Sequence, residues 1–219
     1  MIQRVYEQSK KAKSLSRVIV ATDDERIYKA VKEFGGEVLM TRKDHLNGTS
    51  RCSEVMERLM TPSDGSSPYE YIINIQGDEP MIHPEQIDEL ALLFNDTDAQ
   101  IVTQAKEEHD PSLYNDPDIV KVIIDVHGYA LDFKRIIESD TILDSSFYKH
   151  IGIYGFSVPV LMNLTSLEPT KNELDRKLEQ MRWLDNGYKI KVGITQYESL
   201  SIDNQDDLRK VIDFLNSIK

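Results

Sequence analysis

Apolar and polar positions follow two rhythms along the chain. In DERIYKAVKEF (24–34), Ile27, Ala30, Val31 and Phe34 fall at the three-and-four spacing of one helix face, and Gly35-Gly36 supplies a stop. Residues 2–12 read the same way, with Ile2, Val5 and Tyr6 on one side. Short apolar runs bounded by polar turns read as strands: RVIVAT (17–22), EVLMT (37–41), YEYIINI (69–75) and AQIVTQA (99–105). Further helices are predicted over about 52–60 and from His83-Pro84-Glu85, where proline suits a first turn. This β-α-β-α-β-α-β order predicts an α/β fold with a single doubly wound, mostly parallel, Rossmann-like sheet.

The rhythm then changes. IVKVIIDVHGYALDF (119–133) is two apolar runs around His127-Gly128, which predicts a β-hairpin. YKHIGIYGFSV (148–158) and YKIKVGITQ (188–196) read as strands. ELDRKLEQMRWLD (173–185) predicts one helix with Leu174, Leu178, Met181 and Leu184 as its buried stripe, ended by Asn186-Gly187. Residues 202–219 predict a closing helix. The whole of 1–219 reads as one domain, with 106–170 as an insertion-type lobe on the same sheet. The chain opens in a helix with no strand or capping residue before it, as if it began mid-unit.

Composition narrows the function classes. With 40% hydrophobic and 29% charged residues, the 219-residue chain reads as globular. A net charge of −12 argues against general binding to nucleic acid or anionic membranes. It leaves room for a phosphate ligand, which needs only a few local cations or a metal ion. The single cysteine, Cys52, excludes an intramolecular disulfide framework and suits a reducing cytoplasm. No apolar run approaches the length of a membrane span, and there is no signal-peptide pattern.

Candidate chemistry sits at the ends of the predicted strands, where open parallel sheets bind ligands. IINIQGDEP (72–80) ends a strand in two adjacent carboxylates, Asp78 and Glu79, with no lysine or arginine near them in the chain. They can be turn residues, or Asp78 can hold a hard cation such as Mg²⁺. Asp203 opens the closing helix, as an N-cap, as a second metal ligand, or as both. In DHLNGTSR (44–51), Asn47, Gly48 and Arg51 offer donors for a base or phosphate, or they form a capped helix start with a solvated arginine. His45 reads as a structural hydrogen-bonder. HIGIYGF (150–156) has two glycines, a sign of close approach by a ligand or a backbone. Glu179 and Gln180 lie off the apolar stripe of their helix, which usually means solvent.

Taken together, these stretches resemble one family. VIVATDD, DHLNGTSR, QGDEP, HIGIYGF, LEQMRWLDNGYKI and SIDNQDDL occur in the order found in CMP-Kdo synthetases (3-deoxy-manno-octulosonate cytidylyltransferases), and the resemblance runs from residue 1 to the end. It implies a sugar nucleotidyltransferase fold and a nucleotidyltransferase activity, with CTP and Kdo joined into CMP-Kdo for lipopolysaccharide synthesis and pyrophosphate released. By carry-over, Asp78 and Asp203 are the catalytic carboxylates that bind Mg²⁺. Asn47, Gly48 and Arg51 match the nucleotide-binding loop. Gln76, His150, Tyr154, Glu179 and Gln180 match positions that hold the sugar acid. The resemblance also implies a homodimer, while the single cysteine suits a cytoplasmic protein and the acidic charge one without a nucleic-acid or membrane partner.

The chain departs from the family in three places. Relatives begin with a strand and a loop like IPARYxSTRLPGKPL, whose cations grip the triphosphate. Met1-Ile2-Gln3-Arg4 matches the stretch just after that loop, so the chain as written is expected to be a weakened or inactive enzyme, or a nucleotide-binding remnant. After ALDFKR (130–135), IIESDTILDSSF replaces a Ser-Pro-containing loop, and Thr170-Lys171-Asn172-Glu173-Leu174-Asp175-Arg176 replaces S-x-L-E-x-x-E. Both changes lie on the sugar side, which leaves a related acid of the amino-Kdo type as an alternative substrate.

Overall fold

A computed structural model describes residues 1–61, 65–136, 147–197, 201–202 and 204–217. The α/β class holds, and the chain divides into two compact units. One comprises Met1–Pro68, Asn74–Asp88 and Tyr197–Lys219, and the other Tyr69–Ile73 and Glu89–Gln196.

In the first unit, β1 (Val20–Thr22) and β2 (Val38–Met40) pair in parallel, with Val20 beside Val38 and Thr22 beside Met40. α2 (Glu25–Glu33) connects them, and Val31 joins Val20 and Val38 in a small core. Ile2 and Tyr6 of α1 (Ile2–Ser9), with Tyr28 and Phe34, pack against it; of the apolar positions predicted for α2, Val31 and Phe34 join this core, while Ile27 is exposed. α3 spans Gly48–Leu59, α4 Pro84–Leu92 and α8 Gln205–Ser217. α3 starts four residues earlier than the pattern of apolar positions predicts. Its first turn, Gly48-Thr49-Ser50-Arg51, carries no large apolar side chain, so the apolar pattern does not register it.

The loop from β2 to α3 is gathered by one carboxylate. Glu54 Oε2 accepts the Arg42 backbone N–H at 3.0 Å and a ring N–H of His45, while Arg58 holds Oε1. His45 is therefore the structural hydrogen-bonder that its loop position implied. Burial alone would raise the Glu54 pKa, but the His45 ring, the Arg42 amide and Arg58 outweigh it and lower the value to about 2.

The second unit is built on a mixed sheet. Its strands are β3 (Tyr71–Asn74), β4 (Ile101–Glu108), β5 (Lys121–Ile124), β6 (Ala130–Lys134), β7 (Phe147–Ser157) and β8 (Ile190–Ile194). The order is β6-β5-β7-β4-β8, with β3 also paired to β7. β4 runs parallel to β8 and antiparallel to β7, and β5–β6 is the antiparallel hairpin predicted around His127-Gly128. Ile101, Val102, Phe133, Ile153, Phe156, Trp183 and Ile190 are buried here, each large one stabilising by roughly 1.5–3 kcal/mol. The two glycines of HIGIYGF have different roles. A Cβ at Gly155 would lie 2.6 Å from Val102 Cγ2 and 2.9 Å from the Phe94 ring, whereas one at Gly152 would meet nothing within 4 Å.

One predicted helix is two. α5 (Val158–Leu164) follows β7, and the 173–185 stretch divides into α6 (Lys171–Arg176) and α7 (Glu179–Asp185). Lys177 adopts a left-handed φ of 55° and Leu178 is extended. Thr170 and Glu173 close a capping box on α6, and Glu173 also takes the Arg182 guanidinium of α7 through two hydrogen bonds. The predicted stripe breaks as a result: Leu174 is exposed, while Leu178, Gln180, Met181 and Trp183 are buried.

Two stability measurements follow. Gly155→Ala is expected to lose about 1–3 kcal/mol in chemical denaturation through overpacking, and Gly152→Ala to stay within about 0.5 kcal/mol of the parent. Glu54→Ala is expected to lose about 2 kcal/mol at neutral pH, because it strands the groups gathered on the carboxylate. The folded pKa is depressed, so the Glu54 contribution is complete above its ordinary value of 4.5 and fades as pH falls toward about 2. Denaturation curves of parent and Glu54→Gln should therefore converge on acidification across that window. A constant gap would refute the assignment.

Candidate active site

In the first unit, the sequence-predicted nucleotide residues stand together at the carboxyl ends of β1 and β2. Asn47 is the N-cap of α3, and its side chain accepts the Ser50 amide at 2.9 Å. The Ser50 hydroxyl returns a bond to the Asn47 carbonyl at 3.1 Å. The capped-start reading is thus correct for Asn47, but the solvated-arginine half of it is not. Arg51 lies 3.4 Å from the Asp23 carboxylate and donates to the Thr41 hydroxyl, so it is anchored by the residues that follow β1 and β2. Gly48 has a steric reason: a Cβ there would sit 2.6 Å from Asn74 Nδ2, at the end of β3. The turn of α3 that exposes its first amides therefore lies against Asn74, two residues before Gln76. A capped helix start with an adjacent guanidinium is a ready anion site.

QGDEP is a turn, as the plain reading of Asp78-Glu79 has it. The Glu79 amide donates to the Gln76 carbonyl at 3.4 Å, and Ile82 to Glu79 at 3.1 Å. The two carboxylates diverge: Glu79 is buried, whereas Asp78 is half-exposed and makes no side-chain hydrogen bond or ion pair with another described residue. A cation does come close, from a distant part of the chain: Arg4 of α1 donates to the Pro80 carbonyl at 2.8 Å. It holds the turn and leaves the Asp78 carboxylate open. Gln76 is half-buried.

The Ile202 amide donates to the Asp78 carbonyl at 2.9 Å, so the segment leading into α8 runs beside the QGDEP turn. Asp203 itself lies outside the described residues. The capping role weighed for it belongs to Asn204, whose Oδ1 accepts the amides of Asp206 at 2.9 Å and Asp207 at 3.1 Å. Among the described residues no group of His, Cys, Asp and Glu side chains is arranged to hold a metal ion by itself.

The sugar-side candidates other than Gln76 belong to the second unit. The rings of His150 and Tyr154 stand 5.4 Å apart, and Tyr154 meets Trp183 edge-on at 5.0 Å. Residues four apart in a regular strand are separated by about 13 Å. A bulge brings these two closer: Thr103 pairs with Tyr154 but Gln104 with Ile151, so Gly152 and Ile153 are extra. Burial lowers the His150 pKa to about 3, so the ring is neutral at any physiological pH. Burial and then the Glu179 carboxylate raise the Tyr154 phenol well above its ordinary range. Thr103 lies near that phenol and lowers its pKa somewhat, but the pair does not meet hydrogen-bond geometry and Tyr154 Oη has no partner among the described residues.

The helix break at Lys177 corrects the solvent reading of Glu179 and Gln180. Gln180 is 6% exposed, and Glu179 is half-buried and opens α7. Sequence reasoning missed Thr103 and Asn74. Each sits in an apolar strand run, where its partner strand or loop is not visible. The departure after residues 130–135 falls mostly on residues 137–146, outside the described residues.

Comparison with known proteins gives the family. A family model described as Cytidylyltransferase matches residues 1–190. A 3-deoxy-manno-octulosonate cytidylyltransferase of Parabacteroides distasonis is 44% identical, covering 98% of this chain and 87% of that one. One of Thermodesulfovibrio yellowstonii is 40% identical over 99% of this chain and 88% of its own. The solved structure of a CMP:2-keto-3-deoxy-manno-octonic acid synthetase complexed with CTP superposes with a TM-score of 0.91 at 31% identity, covering all of this chain and 88% of that one. A 4-diphosphocytidyl-2C-methyl-D-erythritol synthase of Anaerococcus prevotii, at 16% identity and a TM-score of 0.61, shares the fold. The chain belongs to the cytidylyltransferase family, and within it to the 3-deoxy-manno-octulosonate cytidylyltransferases.

Proposed function

We propose that the protein transfers CMP from CTP to Kdo and releases pyrophosphate. The observation that carries this reading is the 44% identity, along nearly the whole chain, to a relative named for that reaction. The capped start of α3 with Arg51 beside it supplies a fitting anion site. The anomeric oxygen of Kdo attacks the α-phosphorus, the bond from that phosphorus to pyrophosphate breaks, and the hydroxyl proton is released. No covalent enzyme intermediate is required. Rate acceleration comes from positioning and from charge already in place.

Asn47, Gly48 and Arg51 bind the nucleotide in this reading. Gln76, His150, Tyr154, Glu179 and Gln180 hold the sugar acid. The half-exposed Asp78 carboxylate, with no side-chain partner among the described residues, suits Mg²⁺, which takes one or two protein carboxylates together with substrate phosphates. Asp78 and Asp203 would hold that ion, which when bound orients and neutralises the triphosphate. Support for the pair comes from the Ile202 amide, which ties the segment ahead of Asp203 to Asp78. Family resemblance supports a homodimer, and the use of CTP supports a cytoplasmic site of action. No helix among the described residues is long and apolar enough to cross a membrane.

Pyrophosphate release measured with CTP, Kdo and Mg²⁺ tests the proposal, with amino-Kdo and related sugar acids as competitors. Asp78→Asn is expected to lower kcat at least about 100-fold with an unchanged melting temperature. Arg51→Ala is expected to raise KM for CTP about 10-fold, the loss of one charge-assisted contact. Full Mg²⁺-dependent turnover in Asp78→Asn would remove that carboxylate from the site.

A further inference from the structure

The buried hydroxyl of Thr103 decides a question that the identity of His150 leaves open: which ring nitrogen carries the proton. Thr103 is fully buried in β4, opposite the bulge of β7. Its Oγ1 lies 2.8 Å from the Ile153 carbonyl oxygen, 3.2 Å from that of Ile151 and 3.0 Å from His150 Nε2. A threonine hydroxyl has one proton to donate and two lone pairs to accept with. Both carbonyls can only accept. A neutral imidazole nitrogen either donates or accepts, according to its tautomer. If Thr103 gave its proton to His150, Oγ1 would stand 2.8 Å from the Ile153 oxygen and 3.2 Å from the Ile151 oxygen with no proton between them. If His150 Nε2–H donates to Oγ1, the hydroxyl proton goes to Ile153, with Ile151 sharing it, and every group is satisfied. The ring is held in this pose by the edge-to-face contact with Phe133 at 5.1 Å and by Tyr154 at 5.4 Å.

We propose that Thr103 is a positioning residue for the sugar-acid site: it locks His150 as the Nε2–H tautomer, so that Nδ1 is presented as a fixed hydrogen-bond acceptor for a hydroxyl group of the substrate. Among the described residues nothing donates to Nδ1. The same hydroxyl staples the bulge that brings His150 and Tyr154 to one place. Thr103 thus sets both the position of the ring and the sense of its hydrogen bond. A neutral acceptor suits a polyhydroxylated substrate, whose alcohols donate. The inference rests on His150 touching the sugar acid.

The test combines ring-nitrogen NMR with binding. The chain has five histidines, and the His150 signals are assigned by their loss in His150→Gln. In the parent, ¹⁵N-edited spectra should show His150 protonated on Nε2 alone. Thr103→Val keeps the shape and removes the hydroxyl. It should release the tautomer to a mixture and weaken Kdo binding, measured by calorimetry, about 10-fold with CTP affinity unchanged. Thr103→Ser should restore both. A parent spectrum with the proton on Nδ1 overturns the proposal whether or not Thr103→Val folds. A Thr103→Val protein that keeps the Nε2–H tautomer overturns it as well. If instead the tautomer behaves as expected but His150→Gln binds Kdo as tightly as the parent, the placement of His150 in the sugar site fails and the tautomer assignment stands.

Discussion

Much of the second unit depends on the path of one strand. β7 is eleven residues long and pairs with β3, β4 and β5, so its register decides theirs. A strand of that length with a regular pleat would spread His150 and Tyr154 apart. The two extra residues opposite the Thr103–Gln104 step shorten it locally and turn both rings into the same neighbourhood as Trp183. A bulge leaves backbone carbonyls without ladder partners, and such groups need a donor when buried. At this bulge the Thr103 hydroxyl donates within reach of the Ile153 and Ile151 carbonyls, at 2.8 and 3.2 Å. A single hydroxyl thereby couples sheet geometry to the chemical state of a candidate substrate ligand.

The first unit solves a different problem. A loop proposed to bind a polyphosphate has to hold its amides outward, and nothing apolar can anchor it from above. Here it is anchored from below. Glu54 draws in the Arg42 amide, the His45 ring and Arg58 beneath the start of α3, Asn47 caps the helix, and Asp23 and Thr41 steady Arg51. Gly48 lets the helix start close on Asn74. The adjacent carboxylates of QGDEP part company in the same spirit. Glu79 is buried, and Asp78 is half-exposed with no side-chain hydrogen bond or ion pair to another described residue.

Much of this was legible in the sequence where the residues of one element carry their own signal. The helix over 25–33 follows from Ile27, Ala30, Val31 and Phe34, and the hairpin from two apolar runs about His127-Gly128. Asn47 reads as a cap because capping is decided within three residues. The errors share one cause. Lys177 has no propensity for a left-handed φ, and the break there is imposed by the capping box behind it and by the Glu173–Arg182 pair across it. Gln180 looked solvent-facing because its spacing was judged against an unbroken helix. At α8 the Asn204 side chain accepts the Asp206 and Asp207 amides, and Asp203 lies outside the described residues.

The sequence by itself determined the α/β class, most of the elements, the family and the short motifs at the strand ends, because periodicity, caps and motif spacing are local properties of the chain. Only the tertiary structure decided which of the two QGDEP carboxylates faces out, what steadies Arg51, where the 173–185 helix breaks and how His150 is protonated. The partners lie ten or more residues away for Arg51, which meets Asp23 and Thr41, and for His150, which meets Thr103, while the helix break rests on Glu173 and Arg182, nine residues apart across it. A hydrogen bond is fixed by distance and direction in space, and linear spacing carries neither.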